Sequence, residues 1–218
     1  MKHAFLFTGF ANKILGQRPA RLTRFFEERG FTVDSFSGAK ESMFLHGCEE
    51  FPGVEAFSGH IAERTAAAEH TMAIAVSGGG FGALEHCTRA GVNCFLGFSI
   101  FTAIDHAARA VDHRGRAYLD TLDTVISEES DRNMRPRLAS RSHSTSIHLF
   151  YPGENPADRY QAENLEDLPG VTLHPQAGSR KHGFGDVEFS LPETINRIAA
   201  AEGIDTGYVG REPSPKVA

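Results

Sequence analysis

A chain of 218 residues, 40% hydrophobic and 23% charged, has the length of about one globular domain and enough apolar material for a substantial core. Its formal net charge of -6 lacks the clustered positive charge of a nucleic-acid binder, so no nucleic-acid partner is expected. No apolar stretch approaches the roughly eighteen residues of a membrane span, and the apolar run at 4–8 is too short for a signal core, so neither a membrane partner nor export is expected.

The apolar run at 2–8 reads as a buried strand entering a sharp loop at Gly9, Phe10, Ala11 and Asn12. Residues 19–29 carry Leu22, Phe25 and Phe26 at helical spacing among charged residues, with Gly30 as the stop. A strand over 31–36 follows, then an alanine-rich helix over 60–70 and a second buried strand over 72–76. That strand runs into Ser77, Gly78, Gly79, Gly80, Phe81 and Gly82, after which Ala83, Leu84, Cys87 and Ala90 predict a helix ending near Gly91. Further on, the pattern predicts strands at 92–98, 144–151 and 171–174, and helices at 118–126, 158–168 and 192–201.

Alternation of this kind predicts an α/β fold: a three-layer sandwich with a mostly parallel central sheet and ligands at the carboxyl ends of its strands. One domain is expected over 1–203, with a small lid insertion at 105–143, little or no cap, and a loose tail from 204 to 218. The charge-dense stretch 128–143, with Arg132, Arg135, Arg137 and Arg141, reads as a solvated insertion whose arginines could meet an anionic substrate.

The residues Ala75, Val76, Ser77, Gly78 and Gly79 fit a nucleophile elbow, G-x-S-x-G, except that alanine takes the first glycine position. Such a turn strains the serine backbone, aims its hydroxyl into a cleft and leaves the next N–H facing a developing oxyanion. The competing reading is a glycine-rich turn with a helix-capping serine. A serine nucleophile needs a base and an orienting acid downstream. His182, in the loop after the last strand, is selected by position among eleven histidines. Asp158 is the expected acid, although it opens a helix and could be that helix's N-cap; Glu154 is the alternative. The second oxyanion donor is assigned to the N–H of Phe10, or of Ala11, beside that of Gly78.

The segment Ser77-Gly78-Gly79-Gly80-Phe81-Gly82-Ala83-Leu84 resembles the elbow G-x-S-x-G-G-[YF]-[AG]-A-L of small, capless bacterial α/β-hydrolases. The stretch from Cys94 through Asp105 is similar to the strand and loop after that elbow helix. Asp158-Arg159-Tyr160-Gln161-Ala162 resembles their D-x-x-h-A acid motif, and Gly178 to His182 their G-x-x-x-H loop. The likeness covers most of residues 3–185, and departs at Ala75 and at Ile100, where many relatives have proline. It implies Ser77 as nucleophile, His182 as base and Asp158 as its orienter, in a family of thioesterases, carboxylesterases, acyltransferases and some non-catalytic members.

The expected function is hydrolysis of a small-molecule ester or thioester through an acyl-enzyme on Ser77, with no cofactor and no metal. Two alternatives stay open: a non-catalytic binding or scaffold protein on the same fold, and a Rossmann-like nucleotide binder using Gly78, Gly80 and Ala83. Against the latter, the glycines follow an earlier strand and helix, and no acidic residue ends the next strand. The pairs Asp112, His113 and His143, His148 lack a third ligand at a diagnostic spacing and read as solvated surface pairs. Cys48, Cys87 and Cys94 are odd in number and share no motif spacing, which predicts reduced thiols in a cytoplasmic protein.

Overall fold

A computed structural model describes residues 1–124, 126, 128–140 and 144–207. Six parallel strands, β1 (Lys2–Phe7), β2 (Phe31–Phe36), β3 (His70–Val76), β4 (Cys94–Phe98), β5 (Ser146–Pro152) and β6 (Val171–Gln176), form one sheet in the order β2-β1-β3-β4-β5-β6. The central strands are near-continuous apolar runs because both faces of the sheet are covered. The edge strands β2 and β6 carry more polar and half-exposed residues, which suits strands with one unpaired side.

The helices are α1 (Pro19–Glu27), α2 (Ala39–Ser42), α3 (Val54–Ala67), α4 (Gly79–Ala90), α5 (His106–Val111), α6 (Arg116–Leu122), α7 (Met134–Ala139), α8 (Pro156–Glu163) and α9 (Leu191–Ala201). One core lies between the sheet and α3, α4 and α8, and is dense in aromatic rings: Phe7, Phe36, Phe44, Phe57 and Phe81 are all buried. Phe36 and Phe57 meet edge to face with centroids 4.9 Å apart, a favourable ring geometry. The second core, on the other face, is closed by Leu22 and Phe26 of α1 and Leu191, Ile195 and Ile198 of α9. The chain steps outward from β1 to β2, then returns to place β3 on the other side of β1. The crevice at this reversal is where open α/β sheets bind ligands, and the loops after β1 and β3 border it.

Several boundaries differ from the sequence reading for identifiable reasons. The alanine-rich helix begins at Val54, where burial of Phe57 and Ile61 recruits an extra turn and more, and ends by Ala67. His70 belongs instead to β3, paired in register with Lys2. The helix expected at 158–168 is α8, started by Asn155, whose Oδ1 accepts the N–H groups of Ala157 and Asp158 at 3.1 Å each.

The stretch expected to be a solvated insertion is folded against the core. A 3-10 turn at Glu129–Arg132 leads into α7, and Met134 and Leu138 are buried in the same core as Phe81 and Leu84. The arginines there have internal partners: Arg132 binds Asp123 and the Ile126 carbonyl, Arg135 the carbonyls of Asn164 and Glu166, and Arg137 the carboxylate of Asp131. They are committed to holding this segment rather than available to an anion; Arg141 lies outside the described residues. The start of the expected loose tail is also anchored. Ile204 and Thr206 are buried, and the Asp205 carbonyl accepts from Lys2 Nζ at 2.7 Å; residues 208–218 lie outside the described residues.

Candidate active site

Ser77 follows the last residue of β3 and has φ +51°, a left-handed conformation that costs a residue with a side chain roughly 1–2 kcal/mol. Hydrogen bonds hold it there. Its N–H donates to the Phe98 carbonyl at 3.1 Å, and its carbonyl accepts from the N–H groups of Gly80 at 3.0 Å and Phe101 at 3.2 Å. The glycines after it are required by close approach. A Cβ on Gly79 would stand 2.0 Å from the Thr8 carbonyl oxygen, and one on Gly78 would stand 2.2 Å from the Phe10 ring.

The two departures from the elbow pattern fit this packing. Ala75 is fully buried and paired in register with Gly97. Ile100 fills the space over Gly80 and Gly97, where an added Cβ would come within 2.3 Å and 2.9 Å of it. The same contacts oppose the dinucleotide reading: Gly78 is covered by Phe10, Gly80 by Ile100, and Ala83 is in the core.

His182 reaches Ser77 from the loop after β6, with Nε2 3.1 Å from Ser77 Oγ. On its other side, Nδ1 lies 3.1 Å and 3.3 Å from the two carboxylate oxygens of Asp158. Asp158 is buried and sits in the first turn of α8, three residues after the capping Asn155, so the N-cap reading of Asp158 is overturned. Glu154 is turned away: its carboxylate pairs with Arg180 Nε at 2.6 Å on the exposed side of the loop. The loop is pinned by Asp186, which accepts from the Ser179 hydroxyl at 2.7 Å and from the N–H groups of Arg180 and Lys181 at 2.7 Å and 3.1 Å. The Arg180 N–H, followed by the Ser179 hydroxyl, holds the Asp186 carboxyl below the usual carboxylate range.

Among the described residues, the N–H groups of Phe10 and Gly78 have no backbone acceptor. Both belong to the two loops that flank the crevice at the sheet's reversal, and Gly78 immediately precedes α4, whose N-terminal dipole favours a developing negative charge. The Phe10 ring packs against Tyr118 (centroids 4.7 Å apart) and Phe101 (6.0 Å), which forms an aromatic wall over Gly78.

Three polar residues at the site were given no role there by the sequence: Gln161 lies inside the acid motif, Asp112 in a pair read as surface, and Arg114 in neither. Arg114 donates from Nη1 to Asp158 Oδ1 at 2.5 Å, and the same nitrogen stands against His182 Nδ1. Asp112 takes a two-pronged contact from Arg114, and Gln161 donates to Asp112 Oδ2 at 3.0 Å. Burial alone would raise the Asp112 carboxyl, but Arg114 outweighs it and holds Asp112 below its ordinary value. Asp112 is thus a buried ion-pair member and not a solvated surface residue. His148 is likewise buried, bonded to His174 and Glu202, while His143 lies outside the described residues. Among the described residues, no group of three or more His, Cys, Asp or Glu could hold a metal ion, and no helix is long and apolar enough to cross a membrane. The three cysteines are unpaired, and burial pushes the thiols of Cys87 and Cys94 up.

No family model matches the chain, and no curated protein matches it in sequence. Solved structures do match. An alpha/beta hydrolase enzyme from the metagenome of lagoon sediments at Mar Chica, Morocco, superposes with a TM-score of 0.56 at 16% identity, covering 92% of this chain and 89% of that one. The Francisella virulence factor BioJ gives 0.56 at 12% identity over 93% of this chain and 76% of its own. An alpha/beta hydrolase from Sphaerobacter thermophilus gives 0.51 at 15% identity over 92% of each. With its all-parallel sheet, covered faces and strand order, the chain has the α/β-hydrolase fold.

Proposed function

We propose that this protein is a serine hydrolase that cleaves a small ester or thioester through an acyl-enzyme on Ser77. The observation that carries this reading is the continuous contact from the Ser77 hydroxyl through His182 to the buried Asp158, with Ser77 in a left-handed turn at the end of a central strand. A serine hydroxyl is a weak nucleophile unless a base takes its proton. Here His182 Nε2 takes that proton as Ser77 Oγ attacks the substrate carbonyl, and Asp158 holds the imidazole in the required tautomer and stabilises the imidazolium. The N–H groups of Gly78 and Phe10 receive the oxyanion. His182 then returns the proton to the leaving alcohol or thiol, and water, activated by the same base, releases the acid.

A fluorophosphonate probe tests the reading directly. Covalent labelling of the wild type and none of Ser77→Ala is expected, whereas a folded wild type that resists labelling would leave only a binding or scaffold role. Turnover of p-nitrophenyl esters of increasing chain length and of acyl-CoA thioesters then separates esterase from thioesterase activity.

A further inference from the structure

Arg114 is a cation inside a relay that, in its minimal form, uses only a serine, an imidazole and one carboxylate. Its guanidinium is held on three sides. Nε and Nη2 grip Asp112 at 2.8 Å and 2.6 Å, Nη1 donates to Asp158 at 2.5 Å, and Cζ lies 4.8 Å above the Phe101 ring. The side chains of Asp112 and Asp158 are 1% and 0% exposed, that of Arg114 21%. Two buried carboxylates against one guanidinium leave one negative charge. An imidazolium at His182 would neutralise it.

With Arg114 alone, Asp158 would already be neutralised and would offer His182 little when a proton arrives. Asp112 restores that missing charge while fixing the guanidinium as a rigid fork, a geometry that lysine cannot reproduce. The arrangement places a cation beside the imidazole and an anion behind that cation, so the two oppose each other in the field His182 feels.

We propose that Arg114 is a positioning residue, with Asp112 as its counter-ion: Arg114 locks the Asp158 carboxylate opposite His182, and Asp112 offsets the guanidinium charge so that Asp158 still stabilises an imidazolium there. This rests on the serine-hydrolase reading of Ser77, His182 and Asp158. The other charged groups of the surrounding elements are placed to act more weakly. Arg180 is paired with Glu154, Asp186 is occupied by the loop it pins, and Lys181 and His113 are exposed. Ser77 and Phe10 bring no charge.

The test is the pH dependence of fluorophosphonate labelling at Ser77, with an NMR titration of the His182 imidazole, assigned by His182→Gln, as a second readout that needs no turnover. Arg114→Met removes the cation, stabilises the imidazolium and is expected to move the acidic limb of the labelling profile up by about one pH unit. It should also lower the plateau by about tenfold or more, because Asp158 is no longer held in place. Asp112→Asn removes the opposing anion and should move the limb down. Arg114→Lys keeps the charge and should leave the limb near the wild type while slowing labelling. Arg114→Met leaves two buried carboxylates without their cation, so its melting curve is recorded alongside; the Asp112→Asn/Arg114→Met double variant removes both charges and should return the limb to the wild-type position. Limbs that stay put, or that move in the same direction in both single variants, would overturn the proposal while leaving the hydrolase reading intact. A wild type that is not labelled overturns both.

Discussion

Asp158 and Gln161 stand three residues apart on α8 with both side chains buried, and they reach one hydrogen-bond network from two directions. Residues at this spacing share a helix face. Asp158 meets His182 and Arg114, while Gln161 Oε1 accepts the N–H groups of Thr102 and Ala103 at 2.7 Å and 2.9 Å and its Nε2 donates to Asp112. Gln161→Leu strands two buried N–H groups and takes a donor from Asp112. We expect a loss of about 2–3 kcal/mol in urea unfolding, the cost of orphaned buried polar groups; a loss below the range of surface substitutions would show that the network contributes nothing to stability.

The two acids of the loop and helix after β5 have different surroundings, and this separates their expected effects. Asp158→Asn should reduce labelling and ester turnover by roughly 10³–10⁴, as loss of the orienting carboxylate does elsewhere. Glu154→Gln, which only breaks an exposed pair with Arg180, should leave both within about twofold and barely change stability. Steady-state kinetics of the two variants side by side decide the matter, and comparable losses in both would point away from Asp158.

Strain at Ser77 predicts opposite behaviour of stability and activity. Glycine takes φ near +51° without the steric cost that alanine meets there, so Ser77→Gly should be more stable than Ser77→Ala by about 1 kcal/mol, and labelling should be lost in both. Equal urea midpoints for the two variants would mean that the turn stores no strain.

The elbow glycines are not equivalent. An added methyl on Gly79 meets the Thr8 carbonyl, part of the backbone after β1, whereas one on Gly78 meets the tip of the Phe10 ring. Gly79→Ala should therefore cost about 1–3 kcal/mol by overpacking. Gly78→Ala should unfold more nearly like the wild type while labelling slows, because the displaced Phe10 disturbs the proposed oxyanion site. Thermal melts paired with labelling rates would distinguish the two patterns.

His174 provides a pH prediction away from the site. Burial, then His148 and Arg197, lower it from 6.5 to about 4. Between those values the unfolded chain binds a proton that the folded protein refuses, so stability declines as pH falls through the window and this contribution is level above it. His174→Gln removes the contribution, and the fall in Tm from about pH 7.5 to about pH 5 should be smaller than in the wild type. An unchanged fall would assign the acid sensitivity to other groups.

Much of this architecture is local enough to read from the chain. The strand at 31–36 matches β2, Gly30 and Gly91 take the left-handed φ expected where helices stop, and the apolar run before Ser77 is the fully covered β3. Ser77, Asp158 and His182 could be nominated because each lies at a strand end or in the loop or first helical turn beyond one, where an α/β sheet gathers its ligand-facing residues. Arg114, Asp112 and Gln161 could not. Arg114 meets Asp158 and His182 across 44 and 68 residues, and Gln161 meets Asp112 across 49, with no periodicity or spacing to link them.

The sequence by itself determined the alternation of strands and helices, because hydrophobic period and glycine punctuation act over a few residues. Only the tertiary structure decided that Asp158 and not Glu154 faces His182, that the arginines near 130–140 are committed to internal partners, and that Arg114 enters the relay. Those outcomes depend on sheet order and on which polar groups must find partners once buried, and burial is set by segments far apart in the chain.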